Sequence, residues 1–219
     1  MICFHEPFGE WWYKGDGAKW PRLAHDSPRI PGLTFDSVWS TIQSALKEKP
    51  VFSKDFPHYV EHAWSDDFLH RFNHSFLIRD PAKVITSMFN HWSDFVLKET
   101  GILEQRELFD RICDRQGVPP PLIDSDDLLE NPKEMTRAFC EAVGISYIPE
   151  ALHWESGGDP SEHSWWDGGS FHHNLARSTG LTRQARKYVD ITECPARVQQ
   201  VHRRMVPHYE RLYAHRIRP

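Results

Sequence analysis

The chain has 219 residues, of which 39 % are hydrophobic and 26 % charged, a balance typical of a globular protein and not of a disordered or fibrous one. Its 26 Lys and Arg against 31 Asp and Glu give a formal charge of −5, which argues against a nucleic-acid binder but allows a local basic pocket. We find no apolar run long enough for a membrane span, no secretion signal and four widely spaced cysteines. The sequence therefore predicts a soluble, cytoplasmic protein that binds neither membrane nor nucleic acid.

Four short apolar runs alternate with helical stretches, which is the pattern of an α/β fold with a mostly parallel sheet flanked by helices. The predicted strands are Ile2–Phe4, Val51–Ser53, Phe76–Ile78 and Leu122–Ile123. Polar or charged residues follow each run directly. Open parallel sheets bind ligands beyond the carboxyl ends of their strands, so these following residues are the first candidates for a site.

Three helices are indicated by apolar periodicity and by end signals. The first covers 80–96 and starts with Asp as N-cap and Pro at the first helical position. The second covers 131–144, starts with Asn-Pro and a near capping box, and stops at a glycine. The third covers about 195–216, where Pro207 should kink or interrupt it.

The sequence has 9 Trp, 13 Phe and 6 Tyr, and some of these residues form two clusters in stretches rich in Gly, Pro, Ser and Asp that predict loops. One comprises Trp11–Tyr13 and Trp20, and the other lies between Trp154 and His173. These side chains either anchor the loops to the core or shape a pocket for a small molecule. We expect a single domain over 1–219, with an α/β core at 1–150, an aromatic and His-rich loop region at 151–182 and a C-terminal helical region at 183–219.

The strongest local pattern lies in His74–Met88, where Arg79 ends a strand and Ser87 follows eight positions later on the next helix. A guanidinium fork, a hydroxyl and the N–H groups of a helix N-terminus can together hold a phosphate. Alternatively, Arg79 pairs with Asp80 or another carboxylate and Ser87 is an ordinary hydroxyl on the helix surface.

This stretch resembles the 3′-phosphate-binding segment of the PAPS-dependent sulfotransferase family, in which an Arg and a Ser eight residues on hold the 3′-phosphate of 3′-phosphoadenosine 5′-phosphosulfate (PAPS). A second segment, Leu122–Ile145, resembles the strand, acidic-Leu turn and helix of that family, with Asp124 and Ser125 where Tyr-Glu is usual. The resemblance implies a P-loop NTPase-like fold and PAPS as co-substrate without a metal. It also implies transfer of a sulfonate group to a hydroxyl or amine of a small-molecule acceptor. Whether the acceptor is aromatic or a sugar, and whether the protein forms a homodimer, stay open.

The same resemblance implies a general base. Cys3–Phe8 is similar to the second-strand edge of bacterial sulfotransferases related to the trehalose-modifying enzyme, where a Glu is the proposed base. This carries over to Glu6, with His5 as a competitor. A carboxylate or imidazole within hydrogen-bond reach of the acceptor can take its proton as it attacks sulfur.

Lys54, Asp55 and His58 resemble the segment that supplies a Lys and a catalytic His in the cytosolic branch of the family, although there the His follows the Lys by two positions and here by four. Lys54 is a candidate cation for the sulfonate oxygens and His58 a second candidate base. The alternatives are a solvated strand end for Lys54 and loop packing for His58. A weaker likeness, to the place where family members close over the nucleotide, covers Arg177, Ser178 and Thr179.

The family's first strand and its Gly/Ser/Thr-rich phosphosulfate loop have no counterpart before Ile2. Either the natural chain starts further upstream, or the protein is a degenerate member that pairs its strands differently or with another chain. The alternative to an enzyme is thus a truncated or degenerate, non-catalytic member that binds an adenosine 3′,5′-bisphosphate-type nucleotide or a partner protein. The His and acidic residues over 153–173 lack helical metal-ligand spacing, so we predict no metal site.

Overall fold

The computed structural model of the chain describes residues 1–18, 29–157, 177–183 and 189–218. The described residues form two compact units, one within 1–62 and 155–178 and the other within 63–154 and 179–219. Trp20 and most of the second aromatic cluster lie outside the described residues. No helix in the described part of the chain is both long and apolar enough to cross a membrane.

The first unit is built on one parallel pair of strands. Its described elements are β1 (Ile2–His5), α1 (Pro7–Lys14), α2 (Phe35–Leu46), β2 (Val51–Lys54) and a 3₁₀ turn at Pro57–Tyr59. Ile2 lies opposite Val51 and His5 opposite Lys54, so both strands end at the same edge. The residues that follow the two strands are thereby brought close together.

Helix α2 starts with a complete capping box, because the Thr34 hydroxyl accepts from the Ser37 N–H and the Ser37 hydroxyl accepts from the Thr34 N–H. Val38 and Ile42, one helical turn apart, are its buried residues. Helix α1 buries Phe8 and Tyr13, and the Phe8 ring stacks on Phe35 at 5.0 Å between centroids.

The second unit contains the other parallel strand pair and six of the helices. Its strands are β3 (Phe76–Ile78) and β4 (Leu122–Asp124), with Phe76 opposite Leu122. Its α-helices are α3 (Asp66–Leu69), α4 (Pro81–His91), α5 (Ile102–Gln116), α6 (Ser125–Glu130), α7 (Pro132–Val143) and α8 (Ala196–Tyr213). Further 3₁₀ turns lie at Glu61–Ala63, Leu97–Thr100, Pro149–Leu152 and Ile191–Glu193.

Helix α8 joins the two halves of this unit's core, because both α4 and α5 pack against it. Around β3, β4 and α5 the fully buried side chains include Phe109, Ile112 and Leu212. Around α4 they include Ile85, Val198 and Met205. The two clusters together fix the position of β3 and of the α4 N-terminus, where the second group of candidate residues lies.

One carbonyl at each outer edge of the β3–β4 pair accepts a hydrogen bond from another part of the second unit. The Phe76 N–H donates to the Pro121 carbonyl of the β4 side, so the Leu77 carbonyl points away from β4. There it accepts a hydrogen bond of 2.9 Å from the Gln105 side-chain amide. At the far edge of β4, the Ile217 N–H donates to the Leu122 carbonyl at 2.8 Å.

The predicted strands are confirmed in position and in their parallel pairing, as two separate pairs. The predicted helix at 131–144 is confirmed as α7, although the Asn131 side chain makes no cap hydrogen bond. The interruption expected at Pro207 is wrong: α8 continues through it, because residues on either side of the proline bury one common apolar face.

The predicted extent of the helix at 80–96 is also wrong. Helix α4 ends at His91, and Trp92 adopts an extended conformation. The periodicity runs on because the chain turns and buries Phe95 in the same core. The loop predicted for Trp11–Tyr13 is wrong too, since these residues belong to α1, which is held by the burial of Phe8 and Tyr13.

Candidate active site

Glu6, Lys54, Asp55 and Tyr59 lie close together at or just beyond the carboxyl ends of β1 and β2. Glu6 is only 3 % exposed, and its Oε1 contacts the Lys54 Nζ as an ion pair. The Tyr59 hydroxyl lies 3.5 Å from the other oxygen, Oε2, and donates to it. His5 Nε2 lies 3.7 Å from Oε1. Two of the three predicted base candidates, Glu6 and His5, and the predicted cation Lys54 are therefore neighbours.

The backbone of Glu6 is left-handed, with φ 49° and ψ 49°, and Glu6 is the one non-glycine residue with positive φ in the described ranges. The Glu6 N–H donates to the Lys54 carbonyl at 2.6 Å, and its carbonyl accepts from the Gly9 N–H at 2.9 Å. This conformation costs an ordinary residue about 1–2 kcal/mol. Strain at a buried carboxylate is typical of functional sites.

Asp55 faces the start of α1 from the end of β2. Its Oδ1 accepts from the Phe8 N–H at 3.2 Å, and its Oδ2 accepts from the Ser53 hydroxyl at 3.0 Å. Burial raises the pKa of Asp55 from 3.8 to about 8, with the Ser53 hydroxyl opposing the rise and the Glu6 carboxylate adding to it. At neutral pH Asp55 is thus protonated.

His58 is 2 % exposed and lies among aromatic rings. Its ring centroid is 4.4 Å from Tyr59, 5.6 Å from Phe56 and 5.7 Å from Trp12. Lys54 Nζ lies 4.3 Å from the centre of the Phe56 ring. Trp12, from the first aromatic cluster of the sequence, therefore packs against His58. Glu6 makes the ion contact with Lys54.

Arg79, Asp80 and Ser87 form the second group, at the end of β3 and along α4. Asp80 caps α4: its Oδ1 accepts from the N–H groups of Ala82 at 2.7 Å and Lys83 at 3.4 Å. The expectation that the N–H groups of this helix N-terminus serve an anion is therefore wrong for these two amides, because the aspartate already occupies them.

Ser87 lies on α4, almost two turns in, and is partly exposed. Its hydroxyl makes no hydrogen bond to the residues that the structure describes. The neighbouring Thr86 differs, since it is fully buried and donates to the Ala82 carbonyl at 2.7 Å. Arg79 is likewise partly exposed, directly after β3. The two side chains predicted to bind phosphate are thus placed on consecutive elements with solvent access.

Asp124, at the end of β4, has a structural role. Its Oδ1 accepts from the Asp126 N–H at 2.8 Å and caps α6, and its Oδ2 accepts from the Tyr209 hydroxyl at 3.0 Å. Burial, reinforced by Asp124, raises the pKa of Tyr209 well above its usual value. Lys83 forms an ion pair with Asp126, and Arg216 forms one with Asp127, each at 2.6 Å. These pairs connect α6 to α4 and to the segment that follows α8.

The remaining predicted residues are Arg177, Ser178 and Thr179. Arg177 and Thr179 are exposed, and the Thr179 carbonyl accepts from the Trp154 N–H at 3.2 Å. Ser178 is partly exposed. Within the described ranges, no three His, Cys, Asp or Glu side chains are arranged to hold a metal ion. Most of the His-rich stretch at 153–173 lies outside those ranges.

A family model described as a sulfotransferase domain matches residues 36–212. The chain belongs to the sulfotransferase family. The match confirms the resemblance read from Arg79, Ser87 and the Leu122–Ile145 segment, and it supports a sulfotransferase-like, transferase function. It includes Lys54 and Asp55 and begins after Glu6.

Two curated relatives of this sulfotransferase-family chain come from Arabidopsis thaliana. The branched-chain-amino-acid aminotransferase-like protein 2 is 31 % identical over 112 residues, which cover 50 % of this chain and 19 % of the relative. The aminotransferase-like protein 1 is 28 % identical over 119 residues, which cover 53 % of this chain and 20 % of the relative. The matched region is about a fifth of each relative's length. No solved structure matches the chain.

Proposed function

We propose that the chain transfers the sulfonate group of PAPS to a hydroxyl or amine of a small-molecule acceptor, with Glu6 as the general base. The observation that carries the proposal is the buried, strained Glu6 carboxylate in ion contact with Lys54, at the carboxyl ends of two parallel strands. A ligand site at this edge is what a parallel sheet favours. The sulfotransferase family match supplies the reaction class.

Each group has a defined part in the reaction. The acceptor oxygen or nitrogen forms a bond to sulfur, its proton passes to the Glu6 carboxylate, and the bond from sulfur to the 5′-phosphate oxygen breaks, leaving adenosine 3′,5′-bisphosphate. In this proposal the ammonium of Lys54 binds the sulfonate oxygens, which the 40 % exposure of its side chain supports. His5 and His58 are the alternative bases, and the contacts of Glu6 with Lys54 and Tyr59 favour Glu6.

For the nucleotide, we propose that Arg79 and Ser87 hold the 3′-phosphate and that Arg177, Ser178 and Thr179 cover it. The open Ser87 hydroxyl fits such a ligand, and Arg offers a bidentate fork. Because Asp80 occupies the first amides of α4, side chains must provide the anion contacts here. A P-loop NTPase-like sheet and a single domain with the divisions given above are parts of the same proposal.

A calorimetric titration with adenosine 3′,5′-bisphosphate tests the nucleotide part. Adenosine 5′-monophosphate, which lacks the 3′-phosphate, is the matched ligand. Replacing Arg79 by Ala should weaken bisphosphate binding by about ten- to a hundredfold, the value of a charge-assisted hydrogen bond, and leave the monophosphate unaffected. Arg111→Ala, at an exposed arginine on α5, is the control. Equal binding of both nucleotides, or an Arg79→Ala variant that binds like the parent, would refute the assignment.

Turnover of radiolabelled PAPS with phenol, trehalose and tyramine as acceptor probes tests the transfer itself. Product formation that depends on Glu6, with Glu6→Gln at least a hundredfold slower, is the expected result. Tight binding of the bisphosphate without transfer to any probe would favour a nucleotide-binding, non-catalytic protein. The aminotransferase-like names belong to relatives of which only a fifth is matched, so we do not propose amino transfer.

A further inference from the structure

The N–H groups in the first turn of α1 donate to two different residues, Asp55 and Glu6. The first N–H groups of a helix need acceptors from outside the helix. Pro7 has no N–H, the Phe8 N–H donates to the Asp55 carboxyl, and the Gly9 N–H donates to the Glu6 carbonyl. The acceptor for Phe8 thus comes from another strand, 47 residues away in the chain.

Glu6 occupies the N-cap position but does not cap with its side chain. A carboxylate next to the start of a helix is attracted by the amides and by the helix dipole. Here the next amide with a proton along the chain, that of Phe8, is already bonded to Asp55, and the Glu6 carboxylate contacts Lys54 and Tyr59. The direction of the Glu6 side chain is therefore linked to the occupancy of the Phe8 amide.

Asp55 is itself held in place. The Ser53 hydroxyl donates to the second carboxyl oxygen of Asp55. Lys54, which contacts Glu6, lies between Ser53 and Asp55 in the sequence, so the end of β2 provides both the cation for Glu6 and the cap for α1. The raised pKa of Asp55 keeps it uncharged at neutral pH, which avoids a second negative charge beside Glu6.

We propose that Asp55 is a positioning residue for Glu6: by capping α1 in its place, Asp55 leaves the Glu6 carboxylate directed at Lys54 and Tyr59, where it can take the acceptor's proton. This inference rests on the proposed function of Glu6 as the base. It assigns Asp55 no contact with substrate.

Kinetics of sulfonate transfer provide the first test. Asp55→Ala should lower kcat by at least tenfold and change the KM for PAPS by less than twofold. Asp55→Asn, whose amide can accept from Phe8 and donate to Ser53, should restore kcat to within about threefold of the parent. In a Glu6→Gln background, Asp55→Ala should have no further effect. Thr34→Ala, which removes a cap from α2 in the same unit, is the control and should leave kcat within twofold.

NMR of the chain without substrate provides a test that does not depend on activity. In Asp55→Ala, the Phe8 amide and the Glu6 carboxyl carbon should both shift, whereas in Thr34→Ala and Asp55→Asn the Glu6 signal should stay within the line width. If Asp55→Ala does not fold, Ser53→Ala, which removes the hydroxyl that holds Asp55, should give the same shifts at smaller size.

The outcomes separate the two proposals. An unmoved Glu6 signal in Asp55→Ala, an Asp55→Ala loss that adds fully to that of Glu6→Gln, or an equal loss in Thr34→Ala would overturn the role of Asp55. If the parent chain transfers no sulfonate, the proposed function fails and the NMR shifts alone decide whether Asp55 positions Glu6.

Discussion

Replacing Asp55 by Asn should change how the stability of the first unit depends on pH. Burial raises the pKa of Asp55 from 3.8 to about 8, so between these values the folded chain keeps a proton that the unfolded chain has released. The free energy of unfolding therefore falls as the pH rises, by at most about 1.4 kcal/mol per pH unit. Because the Asp55 side chain keeps some solvent access, the effective pKa shift and the pH range over which stability falls are reduced, and we expect a total of about 2 kcal/mol between pH 5 and 9.

Urea unfolding at several pH values, followed by circular dichroism and tryptophan fluorescence, measures this difference. The Asn variant cannot ionise, so relative to the parent it should gain about 2 kcal/mol from pH 5 to pH 9. Thr34→Ala, a non-titrating change in the same unit, should lower stability equally at every pH. Parallel curves for the parent and Asp55→Asn would refute a buried, protonated Asp55.

Three further predictions concern the second unit. Phe109→Ala, at a fully buried ring, should destabilise it by about 3–5 kcal/mol in urea unfolding, and a loss below 1 kcal/mol would contradict the core described here. Asp124→Ala should lower the free energy of unfolding by about 1–3 kcal/mol, because it removes both the α6 cap and the acceptor of the Tyr209 hydroxyl. Tyr209→Phe should lower it by only about 1 kcal/mol. Equal losses for the two variants would contradict the capping role of Asp124. Gln105→Ala should speed amide hydrogen exchange at the end of β3, and unchanged exchange would show that the Gln105 contact is unimportant.

The strands and helix α7 were predictable because local signals agree with tertiary packing there, whereas in α8 the apolar periodicity prevails over the local signal of Pro207. Each predicted apolar run is followed directly by a polar or charged residue, and Gly144 ends α7 with the positive φ that glycine tolerates. Helices α1, α2 and α5 are not among the helices that the pattern predicts. Helix α1 is short, and apart from Pro7 at its first position its start depends on a side-chain cap, Asp55, that follows a strand 47 residues away.

The same distinction applies to the candidate site. The sequence placed Glu6 and Lys54 at strand ends, and the parallel register then brings them together. It did not give Asp55 a role, because that role depends on a contact between β2 and α1. The sequence did predict Asp80 as the N-cap of α4, and this cap occupies the Ala82 and Lys83 amides that were also expected to serve an anion.

The amide of Gln105 on the Leu77 carbonyl has a consequence for strand exchange. A side-chain N–H there stands where the backbone N–H of a neighbouring strand would donate, and Leu77 itself is 53 % exposed. If a neighbouring strand replaced Gln105, its backbone N–H would donate to the Leu77 carbonyl in place of the Gln105 amide, so the number of hydrogen bonds to this carbonyl would not change. The Leu77 carbonyl therefore has a donor in the isolated chain, and whether a strand would replace Gln105 depends on the apolar area that the strand would bury over Leu77.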